Sequence, residues 1–159
     1  MVYAGAALVI FPSLWIDFKL LTHPEDAPLP RIERSGYLEE WTAGHGLRET
    51  ADYLRNAASY GPILIGSEGF FGTPFSALQL SLNDVPNARV VGVGVWIDSV
   101  HEKLTNSLKD NRVFLVVNSS RFHIADPDRA GLDLIASYPK AIRPDGTREF
   151  LLFFKVTPQ

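Results

Sequence analysis

Three apolar runs, set apart by helical stripes, constrain this chain more than any other feature. Ile63-Leu64-Ile65, Arg89 to Trp96 (RVVGVGVW) and Arg112 to Val117 (RVFLVV) read as strands. Apolar runs with little polar alternation are typical of strands buried on both faces. Before the first run, Leu47, Ala51, Leu54 and Ala58 recur at helical spacing, with Arg48, Glu49, Asp52 and Arg55 opposite. This is an amphipathic helix of about 14 residues, closed by Gly61-Pro62. Thr73-Pro74 offers an N-cap and a first-turn proline for a second helix through about Leu82. Ser99-Val100-His101-Glu102 fits a capping box, and Val100, Leu104 and Leu108 form the stripe of a third. Buried strands alternating with such helices imply βαβ crossovers and a parallel sheet.

The end of the chain changes pattern. Leu132, Leu134, Ala136 and Tyr138 alternate with Asp133, Ile135 and Ser137, which is mostly strand period. Pro144-Asp145-Gly146 signals a turn, and Phe150 to Val156 is a further apolar run. The expected fold is therefore α/β, a three-layer sandwich. Its sheet is mostly parallel, has about five strands and ends in an antiparallel hairpin.

Length and composition bound the rest. The 159 residues support one domain, and 46% hydrophobic with 21% charged residues is a globular balance. Cysteine is absent, which excludes a disulfide scaffold, a cysteine nucleophile and a cysteine-based zinc or iron–sulfur site. Net charge is −3 and no stretch is strongly basic, which argues against nucleic acid as a partner.

The averages conceal two unusual segments. From Met1 to Ile16 there is no charged side chain. As a helix this run spans about 24 Å, short of a ~30 Å bilayer core. It lacks the basic start and the small-residue cleavage site of a signal peptide. It reads as an apolar helix packed on the domain, as the tail of a membrane helix, or as an interfacial segment. Residues 22–36 (THPEDAPLPRIERSG) carry three prolines, five charges and no apolar period, and read as an extended surface linker. The expected organisation is thus an apolar segment over 1–21, a Pro-rich linker over 22–36 and an α/β domain over 37–159.

Most candidate motifs dissolve on inspection. Gly44-His45-Gly46 lacks a preceding strand and the third glycine of a dinucleotide loop. Gly66-Ser67-Glu68-Gly69 is no nucleophile elbow, because Ile65 stands where that motif needs glycine. The four histidines (His23, His45, His101, His123) are isolated, so no metal site is expected. Asp126-Pro127-Asp128 suits a turn better than a metal, and Asn118-Ser119-Ser120 matches a glycosylation sequon. No catalytic constellation and no cofactor loop emerge.

One loop stands out. Ser67 and Glu68 follow the first strand at its C-terminal end, where open α/β sheets bind ligands. Glu68 is the best candidate for a polar contact, unless it caps loop amides instead. Tyr37, Trp41, Phe70, Phe71, Phe75 and Trp96 fall near the same end. Aromatic faces there can stack on sugars, sit at a membrane interface or fill the core. The substrate-binding candidates are Glu68, Ser67, Tyr37, Trp41, Phe70 and Phe71.

The order of segments resembles the C-terminal soluble region of multi-span membrane glycosyltransferases of the dolichyl-phosphate-mannose–protein mannosyltransferase type. The matching phrases are DAPLPRIERSGYLEEW (26–41), AGHGLRET (43–50) and GPILIGSEGFFGT (61–73), with EKLTNSL (102–108), Asp110-Asn111 and SYPK (137–140) beyond them. The resemblance covers residue 10 to the end, on segment order rather than on a diagnostic catalytic motif. It implies an accessory, non-catalytic domain on the extracytoplasmic face of the membrane. The partners it implies are a multi-span bundle upstream of Met1, a lipid-linked sugar and its acceptor. In such enzymes the catalytic acids lie in an early loop of the bundle, so Glu68 does not inherit that role. The apolar head is then the end of the last membrane helix. The competing expectation is a free-standing α/β ligand-binding module or small enzyme using the loop at Glu68.

Overall fold

The computed structural model describes residues 2–158, with side chains from residue 10 on. An N-terminal helix, α1 (Val2–Thr22), leads through short turns to α2 (Arg31–Arg34) and a π-helical turn at Ser35–Glu39. The order then runs α3 (Leu47–Ser59), β1 (Ile63–Ser67), α4 (Phe75–Ser81), β2 (Ala88–Gly92), α5 (Glu102–Ser107) and β3 (Arg112–Asn118). The hairpin β4 (Leu132–Ile142) and β5 (Arg148–Val156) completes it. The five strands form one sheet in the order β2-β1-β3-β5-β4. β1 pairs in parallel with β2 and β3, and β5 is antiparallel to both β3 and β4. The fold is α/β, as the alternation of elements requires.

The two central strands explain the apolar runs. Every residue of β1 is buried, as are Val113 to Asn118 of β3. Ile63, Ile65, Phe114 and Val116 face Leu54, Ala58 and Leu78 of α3 and α4. Leu64, Val113, Leu115 and Val117 face the other way, onto Leu104 of α5 and Ile97. Helices thus cover both faces and give three layers. The segment from β3 to β4 adds Phe122, Ile124 and Ala130 to the α5 face.

Several local expectations need correction. The strand expected over Arg89 to Trp96 ends at Gly92, because Gly94 turns the chain at φ +123°. α4 begins one residue late, with Pro74 rather than Thr73 at the cap. α5 is capped by His101, not Ser99: His101 Nδ1 accepts from the Lys103 amide at 3.1 Å. Leu132, Leu134, Ala136 and Tyr138 do not share a face. A bulge between Leu134 and Ala136 shifts the register. Leu132 stays on the α5 side, while Ala136 and Tyr138 pack on the α3 side.

The 22–36 segment is not extended. Its prolines occupy positions where a missing N–H costs nothing: Pro24 opens a 3₁₀ turn and Pro30 caps α2. Arg34 Nε donates to the buried Glu39 carboxylate at 2.8 Å, and Arg31 also pairs with it. Gly46 enters α3 at φ +82°, with Tyr138 packed where a side chain would stand. Met1 and the side chains of residues 2–9 lie outside the described residues.

Candidate functional site

The candidate site lies at the carboxyl ends of β1 and β3. The chain leaves β1 through α4 on one face to reach β2, then returns through α5 on the other face to β3. Connections that diverge to opposite faces open a crevice between the two strand ends, the usual ligand position in an open α/β sheet. Glu68 follows β1 directly, and Asn118 closes β3.

Glu68 is fully buried. Its Oε2 accepts from the Asn118 backbone N–H and its Oε1 from Asn118 Nδ2, both at 2.7 Å. Asn118 Oδ1 accepts in turn from Lys140 Nζ at 2.5 Å. The Lys140 amine donates further to the Glu40 and Trp41 carbonyls at 3.0 and 3.1 Å, which uses all three of its protons. Carboxylate, carboxamide and amine form a buried relay that fastens residues 40–41 to the strand ends. Burial raises the Glu68 carboxyl above the usual range, against the hydrogen bonds from Asn118 that lower it. Burial also pushes the Lys140 ammonium down to about 8. A glycan on the sequon at Asn118 does not fit this fold, because the side chain is wholly enclosed in this relay.

In front of the relay opens a cleft of about 270 Å³. Trp41, Phe70, Phe71 and Val95 supply apolar walls, with Thr73, Glu68 and Arg121 as its polar members. The Arg121 guanidinium lies 4.2 Å from the Trp41 ring centroid and 5.6 Å from that of Trp96. Its Nε stands 3.6 Å from Glu68 Oε1. Among the described residues this guanidinium makes no side-chain hydrogen bond. Trp96 also stacks on His123, whose Nδ1 lies 3.1 Å from Asp98 Oδ1. The loops holding the walls are pressed together: the Gly69 amide donates to Gly94 O at 2.7 Å. Gly92 passes so close that an added Cβ would meet Gly69 O at 2.4 Å and the Phe70 ring at 2.5 Å.

A second ionic cluster flanks the relay. Arg143 bridges Glu40, at 3.1 and 3.2 Å, to Glu149 at 3.0 Å. Burial alone would raise the Glu149 carboxyl, but hydrogen bonds from Ser119 and Ser120 outweigh it and hold the group low. The connector before α3 is thus clamped to the end of β4 and the residue after it by two basic side chains, Lys140 and Arg143.

The structure gathers Trp41, Glu68, Phe70 and Phe71 around one cleft and leaves two candidates out. Tyr37 is 69% exposed and borders a separate shallow depression with His45 and Arg48. Ser67 is buried, and its hydroxyl bonds only to the Glu68 carbonyl at 3.2 Å. Sequence reasoning missed Asn118, Arg121 and Lys140. The rule that selected Glu68, proximity to a strand's carboxyl end, applies equally to Asn118 and Arg121 after β3. Lys140 carried no such signal, because an irregularity between Pro139 and Ile142 turns it inward. Asp126, of the D-x-D pair, accepts from the Arg129 amide at 3.1 Å and closes a turn. Among the described residues no three His, Asp or Glu side chains gather as metal ligands.

Chemically, the cleft offers a fixed cation, a fixed carboxylate, a hydroxyl and aromatic walls. No family model, curated protein or solved structure matches the chain.

Proposed function

We propose that this chain is an accessory, extracytoplasmic domain of a membrane glycosyltransferase that draws on a lipid-phosphate-linked sugar donor, and that the domain itself is non-catalytic. The observation that carries this reading is α1. Most of its described side chains are apolar and exposed, with Phe11 at 70% and Leu21 at 86% and Leu14, Trp15 and Phe18 also open; Asp17 and Lys19 stand near its C-terminal end. Its main neighbour is the turn at Pro24–Asp26, not the sheet. A helix whose exposed surface is largely apolar is stable where other helices or lipid cover it, with its charges near the end of the covered stretch. Among the described residues no helix is long and apolar enough to cross a membrane. On this reading residues 1–21 form the end of a span that begins upstream. The clamped connector then holds the α/β domain at a fixed place beside the bundle, near the lipid-linked sugar and the acceptor.

The experiment uses the native gene product. Deleting residues 37–159 is expected to lower sugar transfer from a lipid-phosphate donor at least several-fold while leaving measurable turnover. Unchanged transfer, or a reading frame that opens at Met1 with its own ribosome site, contradicts the proposal.

A second reading, a free-standing α/β ligand-binding module or small enzyme using the loop at Glu68, is favoured by one observation. The cleft contains a guanidinium with unused N–H donors at the position where such sheets bind ligands.

A further inference from the structure

We propose that the cleft bounded by Trp41, Phe70, Phe71, Thr73 and Arg121 binds a single pyranose ring of a neutral carbohydrate. The inference rests on reading the cleft as a ligand site and is independent of membrane attachment. Charge comes first. Among the described residues Arg121 is the only cation lining the cleft, and Glu68 stands 3.6 Å from it. The two charges cancel, so an ionic ligand gains little net field. Lys140 does not line the cleft, and its protons are committed to Asn118, Glu40 and Trp41. An organic cation is disfavoured for another reason: the space between Trp41 and Trp96 is already taken by the Arg121 guanidinium.

What remains suits a hydroxylated ring. Arg121 has N–H donors without hydrogen-bond partners, and the Thr73 hydroxyl makes no protein hydrogen bond among the described residues. Together they can donate to and accept from neighbouring hydroxyls. Phe70, Phe71 and Val95 offer an apolar surface for the C–H face of the same ring. A volume of about 270 Å³ lies just below the roughly 300–1,000 Å³ of sites for drug-sized ligands, which limits the occupant to about one ring. A ligand of that size, held by so few groups, is expected to bind with a millimolar dissociation constant.

The test titrates the full chain, held in a detergent without a sugar headgroup. The probes are the methyl glycosides of glucose, mannose and galactose, inorganic phosphate, and choline. The readout is the set of Trp indole N–H resonances, of which Trp41 and Trp96 report on the cleft. At least one methyl glycoside is expected to shift both saturably, with affinity nearly unchanged between low and high salt because the ligand is neutral. Phe71→Ala alters a side chain that is 80% exposed and so preserves the fold. It is expected to weaken that binding by about fivefold. Tighter binding of phosphate or choline than of every glycoside overturns the carbohydrate assignment and keeps the ligand site. Glycoside binding that Phe71→Ala leaves unchanged places the ring elsewhere and also overturns it. No shift with any probe overturns both the assignment and the ligand-site reading.

Discussion

Lys140 and Glu68 illustrate how two buried charges are kept in a small sheet protein. Neither touches the other, and Asn118 mediates between them with its two ends, one donating and one accepting. An unpaired buried charge is expensive, and the relay lowers that cost without removing it. The depressed Lys140 value makes the residue visible in stability measurements. Below about pH 8 the folded and unfolded chains both hold the proton, and the full cost of burial applies. As pH rises, the folded state loses the proton first while the unfolded chain keeps it up to about 10.5. The unfolded state then binds more protons, so stability rises with pH across this window. The gap corresponds to roughly 3 kcal/mol. Urea denaturation of wild type and Lys140→Met from pH 7 to 10.5 should show that rise only in the wild type. Parallel curves would mean that the amine is solvated. Glu68 was legible in the sequence because it follows an apolar run. Lys140 was not, because its direction is decided by a backbone irregularity that no residue pattern announces.

The elements divide by how local their causes are. β1 and β3 were legible from their apolar runs, since burial on both faces demands such residues. α3 was legible from its stripe. The boundaries that moved did so where a backbone turn or cap decides the outcome: Gly94 ends β2 early and His101 displaces Ser99 as a cap. β4 is an edge strand, and its bulge lets one strand serve both faces of the sheet. Gly92 is the element-level key to the cleft, because the loop after β1 lies directly on it. Gly92→Ala would force Gly69 and Phe70 outward. The expected cost is about 1–3 kcal/mol in chemical denaturation, with Phe70 displaced from the cleft wall. Wild-type stability in this variant would show that the two loops are free to separate.

At the scale of the molecule, the three-layer arrangement follows from the right-handed crossovers that the strand and helix order implies. The docking of the connector could not be read the same way. It depends on Lys140 and Arg143 reaching back about a hundred positions along the chain to Glu40 and Trp41. Those bonds hold residues 40–41 against the end of β4, while most described side chains of α1 stay exposed. On the proposed reading this helix is covered by a membrane or by helices within one. Flotation tests it directly: the full chain is mixed with phosphatidylcholine vesicles and spun upward through an iodixanol gradient. The wild-type chain should rise with the vesicles. A variant carrying Phe11→Gln, Leu14→Gln, Trp15→Gln and Phe18→Gln, with an unchanged melting temperature, should stay at the bottom. A wild-type chain that also stays at the bottom, as a monodisperse monomer, would show that the helix needs no membrane cover.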